Sequence, residues 1–180
     1  VTNIGDYAFS ECSALTSISM PEGVTSIGNG VFSYSGLRSI TLPKGLTSIG
    51  KWTFSGCRNL TSIRLPDGVT SIGENAFYSC SSLEKIVLPE SLTNIGTSTF
   101  RYCQLLKYYV LPNSYAYDYV KSHGFSFFFL VDPSVQSQVQ YLSFLDDYQY
   151  LKVSDIRLLS DLINYSTGIS FQNIIFSISD

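Results

Sequence analysis

A fourteen-residue phrase occurs twice in this chain. It reads LTSISMPEGVTSIG from Leu15 to Gly28 and LTSIRLPDGVTSIG from Leu60 to Gly73, identical at eleven positions. The Ile-Gly pair that closes the phrase recurs with starts at Ile4, Ile27, Ile49, Ile72 and Ile95, spaced by 23, 22, 23 and 23 residues. Other residue types keep the same register. A Phe stands five residues after each Ile (Phe9, Phe32, Phe54, Phe77, Phe100), and a Leu opens each following phrase (Leu15, Leu37, Leu60, Leu83, Leu106). A Pro ends it at Pro21, Pro43, Pro66, Pro89 and Pro112. The one 22-residue unit has lost a residue around Ser33–Gly36, where its neighbours carry a Cys. A unit this short cannot enclose its own apolar face, so a sustained period in the twenties demands a solenoid in which each unit is closed by the next.

Each unit reads L-x-x-I-x-L-P, then V-T-S-I-G, then A-F-x-x-C. The first phrase has the alternation of a strand. Its Pro ends the strand, because Pro has no N–H to give to a ladder. The Gly of the second phrase allows a turn that a Cβ would obstruct. The third piece is too short for an α-helix and suits a helical turn. Leu, Ile, Val, Phe and Cys are expected to point inward and stack on their counterparts. Each buried large side chain contributes about 1.5–3 kcal/mol, which amounts to a core only when rungs stack. The expected architecture is a right-handed, curved, strand-rich α/β solenoid of about five repeats. It has a parallel strand ladder, a second and weaker ladder from the V-T-S-I-G phrases, and short helical turns.

The recurring I-G-x-x-A-F-x-x-C-x-x-L-x-x-I-x-L-P pattern, over roughly residues 1–115, resembles the BspA-type leucine-rich repeat family. The resemblance implies a cell-surface or secreted protein that adheres to, or binds, host proteins. It implies no catalytic residues and no cofactor. It also implies a C-terminal cap, and the residues after Pro112 fit one. SYAYDYVKSHG reads as a short helix with Ser114 as N-cap and Gly124 as stop, and FSFFFLV reads as a closing strand. The expected division is therefore a solenoid over residues 1–131, with its helix-strand cap from about residue 113, and a C-terminal segment over 132–180. That segment reads as a linker from Asp132, a helix with Ile156, Leu159, Leu162 and Ile163 on one face, and a final strand.

Bulk properties narrow the partners. A net charge of −3 without a basic cluster speaks against nucleic acid, which needs several cations on one face. The longest dense apolar run, Phe125–Val131, falls far short of the roughly 20 residues of a membrane helix. The chain opens on VTNIG, a variant of the repeated V-T-S-I-G, so it reads as part of a longer array. The lack of a leader here says nothing about secretion.

Chemistry is sparse. The single His, His123, sits at a predicted helix end with no acid or nucleophile placed beside it, and suits the helix dipole. Cys12, Cys57, Cys80 and Cys103 match neither zinc-knuckle nor redox spacing. Neighbouring rungs lie close enough for a bridge, yet three consecutive Cys leave one over, and inward free thiols are the expected state. Asp146, Asp147 and Asp155 lack a calcium-loop frame, and the sequons at Asn59 and Asn164 matter only in a glycosylating eukaryote. No metal or catalytic residue is expected.

A binding surface can be placed by strand alternation. The third and fifth positions of each strand phrase should face outward. On the first two rungs these are Ser17, Ser19, Ser39 and Thr41; from the third they become Ser62, Arg64, Lys85, Val87, Tyr108 and Val110. Arg64, Lys85, Val87, Tyr108 and Val110 are the expected protein-contact patch, since Arg and Tyr are enriched at binding hot spots. Trp52, the only Trp, occupies a column otherwise holding Tyr7, Gly30, Asn75 and Ser98 and is a second candidate. Nine of the 13 Tyr lie between Tyr102 and Tyr150, as cap packing or as an aromatic surface. Two rivals to a binding module remain: a rigid spacer, and an accessory region of an enzyme whose catalytic domain lies outside these residues.

Overall fold

The structure, a computed structural model, describes residues 1–111 and 113–130, with Phe129 described by its backbone only. Pro112 and the expected linker, helix and strand of 132–180 lie outside the described residues. Two compact units are present, Val1–Lys107 and one beginning at Tyr108.

The first unit is a parallel-strand solenoid. The V-T-S-I-G phrases supply five two-residue strands: β1 (Asn3–Ile4), β2 (Ser26–Ile27), β3 (Ser48–Ile49), β5 (Ser71–Ile72) and β7 (Asn94–Ile95). β1 pairs with β2, and β3, β5 and β7 form a second sheet, with every Ile opposite the next Ile. The L-x-x-I-x-L phrases supply β4 (Ser62–Arg64) and β6 (Lys85–Val87), parallel with Ile63 opposite Ile86. On the first two rungs this ladder is reduced to a single bridge between Ser19 and Thr41. The ladder expected to be the weaker of the two is thus the one with a strand on every rung.

Stacking follows the predicted columns. The Phe rings lie nearly parallel, with centroids 5.6, 5.5, 5.2 and 5.6 Å apart from Phe9 to Phe100. Phe32, Phe54 and Phe77 are fully buried, as are Leu60, Leu65, Ile72, Leu83, Ile86 and Leu88. The Ile-Gly glycines permit close approach: a Cβ on Gly73 would lie 2.6 Å from the Lys51 backbone nitrogen of the preceding rung.

The turn segments explain how so short a piece closes a rung. Bonds of the tight i→i−3 type, such as Ser55 N–H to Trp52 O (3.0 Å) and Cys57 N–H to Phe54 O (3.1 Å), alternate with bonds to the next rung. The Trp52, Phe54 and Gly56 amides donate to the carbonyls of Glu74 (3.0 Å), Ala76 (2.8 Å) and Tyr78 (2.7 Å). Two residues per turn adopt left-handed backbone, which aims alternate amides along the solenoid axis. In the short second unit, Ser35 takes the Cys position, with its Oγ 3.4 Å from the Cys57 sulfur. The missing residue therefore falls just after it, at Gly36, where a Cβ would run into the Ser13 carbonyl.

In the second unit, Tyr108–Val110 of β8 (Lys107–Val110) pair in parallel with β9 (Phe127–Phe129), and α1 (Tyr115–Ser122) lies between them in sequence. Ser114 Oγ caps α1 by accepting from the Tyr117 amide at 3.1 Å. Gly124 follows the helix at φ +64°, and the His123 ring, with Nδ1 2.8 Å from the Tyr119 carbonyl, closes its end. The predicted helix and strand both form.

Candidate functional site

The ladder patch expected from alternation comes out divided. Arg64 on β4 is exposed and holds Asp67 at 3.2 Å. Lys85 on β6 is half-buried, and its ammonium is pulled below the ordinary lysine range, first by burial and then by the Arg64 charge. The pairing of Ser62 with Lys85 and Arg64 with Val87 sets the two cations diagonally across adjacent strands.

Val87, Tyr108 and Val110, however, are only 5%, 3% and 0% exposed. Alternation fixes which side of a strand a residue takes, and burial depends on what covers that side. Tyr108 stacks on Phe125 at 5.1 Å within the second unit, where Val110 is in register with Phe129. Val87 is a short apolar side chain whose register partner Arg64 and same-face neighbour Lys85 carry long aliphatic stems. The open part of the expected patch reduces to Arg64 and Lys85. Trp52 is not on this ladder; it sits on the turn between β3 and β4.

That turn edge has its own order. Tyr7, Gly30, Trp52, Asn75 and Ser98 have φ between 54° and 59°. Glu11, Tyr34, Gly56, Ser79 and Tyr102, four residues further on, have φ between 56° and 71°. Trp52's column is thus defined by a left-handed backbone. Gly and Asn accept that conformation readily, whereas bulky side chains resist it. Yet Tyr7, Tyr34, Trp52 and Tyr102 occupy it and remain 51%, 56%, 39% and 50% exposed. The Tyr7 and Tyr34 rings lie over Gly30 and Gly56 of the following rung. Tyr102 meets Tyr78 edge-on at 5.2 Å and lies under the Arg101 guanidinium at 5.1 Å. Alignment on Ile-Gly leaves these rings scattered over two columns and Tyr78; only the shared sign of φ joins the columns.

The family model for the BspA type leucine-rich repeat region matches residues 2–143 in six copies, one more than the Ile-Gly recurrence counts. The chain belongs to the BspA-type leucine-rich repeat family. Three solved structures are similar. A leucine-rich cell surface protein from Faecalibacterium prausnitzii A2-165 is 36% identical over 66% of this chain and 32% of its own, with a TM-score of 0.62. A leucine-rich repeat protein from Bacteroides ovatus ATCC 8483 is 42% identical over 62% of this chain and 29% of its own, with a TM-score of 0.59. The T. pallidum leucine-rich repeat protein is 36% identical over 61% of this chain and 52% of its own, also at 0.59. The match thus spans about half or less of each relative's length. No curated protein matches.

In this BspA-type solenoid the four thiols are free; Cys57 and Cys80 are buried, Cys103 is half-buried and Cys12 is exposed, against the expectation that all face inward. The Cys57, Cys80 and Cys103 thiols each donate to a Phe carbonyl of the preceding rung at 3.0 Å. Burial pushes Cys57 above the ordinary thiol range. The neighbouring thiols Cys80 and Cys103 move in opposite directions, Cys80 well above that range through its interaction with Cys103 and its burial, and Cys103 below it through the same interaction. Cys57 and Cys80, buried and raised, are packing groups, not nucleophiles. Among the described residues no cluster of three His, Cys, Asp or Glu could hold a metal, and no helix is long and apolar enough to cross a membrane.

Proposed function

We propose that this BspA-type repeat segment is a non-enzymatic, surface-displayed module that binds an extracellular protein through the ladder face bearing Arg64 and Lys85. The observation that carries this reading is the pair itself. Two cations lie on adjacent strands of a solenoid whose preceding rungs hold only Ser17, Ser19, Ser39 and Thr41 at the same two strand positions, all exposed. Membership of the family and the cell-surface designation of the Faecalibacterium relative support display outside the cell. A paired cation on a low-charge ladder favours an acidic patch on the partner, which it would steer and orient.

The test is capture from serum and extracellular-matrix extract with the full chain immobilised, followed by affinity measurement with Arg64→Ala/Lys85→Ala. A captured protein whose binding weakens about ten-fold or more in the double variant supports the reading. Capture that the double variant leaves unchanged removes this face. No specific capture favours a spacer.

A further inference from the structure

Every rung of the first unit carries one Phe and one other aromatic on its turn segment, namely Tyr7, Tyr34, Trp52, Tyr78 and Tyr102. The Phe residues form the inner stack, while four of the five others are among the most exposed large side chains of the molecule. Those same four stand at left-handed φ. Gly30, Gly56 and Asn75, in the same two columns, are what the backbone favours there, so the fold accounts for them and not for the rings.

The rings do not stack along their columns as the Phe residues do. The next position after Tyr7 is Gly30, after Tyr34 it is Gly56, and after Trp52 it is Asn75. Tyr7 and Tyr34 lean on those glycines, which fixes each ring against backbone. The result is a row of separated rings that alternates between the two columns from rung to rung (Tyr7, Tyr34, Trp52), with small or polar residues between them.

We propose that this edge is a binding site for a linear, uncharged, β-linked glycan, its sugars laid along the rungs. The C–H faces of the sugars would rest on Tyr7, Tyr34 and Trp52, and their hydroxyls would meet Asn75, Ser79 and Ser98. Three features favour this ligand. A protein interface needs a contiguous apolar core inside a polar rim, and rings separated by Gly, Asn and Ser do not form one. A β-linked pyranose chain alternates apolar faces with hydroxyl edges, and the turn segments repeat at the 5.2–5.6 Å of the stacked Phe rings, a step on the scale of one sugar. The two columns hold no cation and one carboxylate, Glu11; of the flanking cations, Arg101 lies over Tyr102, Lys51 is 3.6 Å from Glu74, and Arg58 is exposed. Arg58 is a single exposed charge, too little to hold an anionic chain, which needs several cations on one face.

Trp52 is the only Trp of the chain, so tryptophan emission reports on this edge directly. The full chain is titrated with cellohexaose, laminarihexaose and chitohexaose, each against its disaccharide, with calorimetry in parallel. At least one hexasaccharide should shift the emission saturably, and its disaccharide should bind about ten-fold or more weakly. Tyr34→Ala and Tyr7→Ala, checked for a parental circular dichroism spectrum, should each weaken binding about ten-fold, while Tyr34→Phe and Arg64→Ala/Lys85→Ala should not. The proposal is overturned by no emission change and no heat with any of the sugars, or by binding that ignores both Tyr variants. An emission shift produced by a captured protein and by none of the sugars would assign the edge to protein and overturn it as well.

Discussion

The ring of Tyr34 fills the space that a side chain on Gly56 would need. A Cβ on Gly56 would lie 2.5 Å from Tyr34 Cδ1, and Gly56 has φ +71°. Gly56→Ala therefore meets two penalties, the left-handed backbone and the ring, and should cost about 2–3 kcal/mol. Removing the ring as well should recover the steric part, leaving Tyr34→Ala/Gly56→Ala about 1 kcal/mol below Tyr34→Ala. Urea unfolding of the parent, both single variants and the double variant measures the coupling. Additive effects would show that ring and glycine do not meet.

The Phe stack makes a sharper demand. Phe77 is fully buried between Phe54 and Phe100, so Phe77→Ala should destabilise by about 3–5 kcal/mol through an unfilled space between rungs. Phe9, half-buried and stacked among the described residues on Phe32 alone, should cost less when truncated. The ratio of the two losses, read from thermal or chemical midpoints, checks that the stack rather than the ring itself carries the energy.

Trp52 and Phe54 are two residues apart and should behave in opposite ways. Trp52→Asn places in the left-handed position a residue that already holds it at Asn75, where φ is 54°. It should leave stability within about 0.5 kcal/mol of the parent, because loss of a half-exposed ring is offset by relief of backbone strain. Phe54→Ala should behave like Phe77→Ala. A Trp52→Asn protein as unstable as Phe54→Ala would make Trp52 a core residue.

The repeat was legible because apolar stacking must recur at the rung period, and the Phe, Leu and Ile-Gly columns wrote that period openly. Ser114 and Gly124 likewise announced a helix, because capping is local chemistry. The left-handed positions were hidden. Tyr, Glu, Trp and Ser fill them beside Gly and Asn, so no residue type marks them, and their cause is the bond each turn makes to the next rung. Val87, Tyr108 and Val110 were misjudged as exposed for a related reason: alternation is a property of one strand, while burial belongs to its surroundings. The lost residue of the second repeat looked like a lost Cys, because Ser35 fills the Cys position without resembling one.

The thiols separate by position. Cys12 should react promptly with a thiol reagent in the native chain, and Cys57 and Cys80 only after denaturation. Both of these buried thiols titrate above their ordinary value of 9.0. Below that pH they are protonated in the folded and the unfolded chain, and their contribution to stability is complete. As pH rises past it the unfolded chain loses its protons first, so stability should fall. Cys103, lowered through Cys80, works the other way, so the clean test is Cys57: replacing it with Ala should flatten the alkaline decline, and an unchanged pH profile would remove Cys57 as its source.

Stacked rungs joined by the alternate amides of the turn segments are the basis of both candidate surfaces, and amide hydrogen exchange reads those bonds directly. The Trp52, Phe54 and Gly56 amides donate to Glu74, Ala76 and Tyr78 of the next rung, although the Trp52 side chain is 39% exposed. Measured by NMR on the full chain, all three amides should exchange as slowly as those of the Ile72 and Ile95 strands. Exchange at Trp52 and Phe54 as fast as in an exposed loop would contradict the stacked turn edge, and with it the row of braced rings.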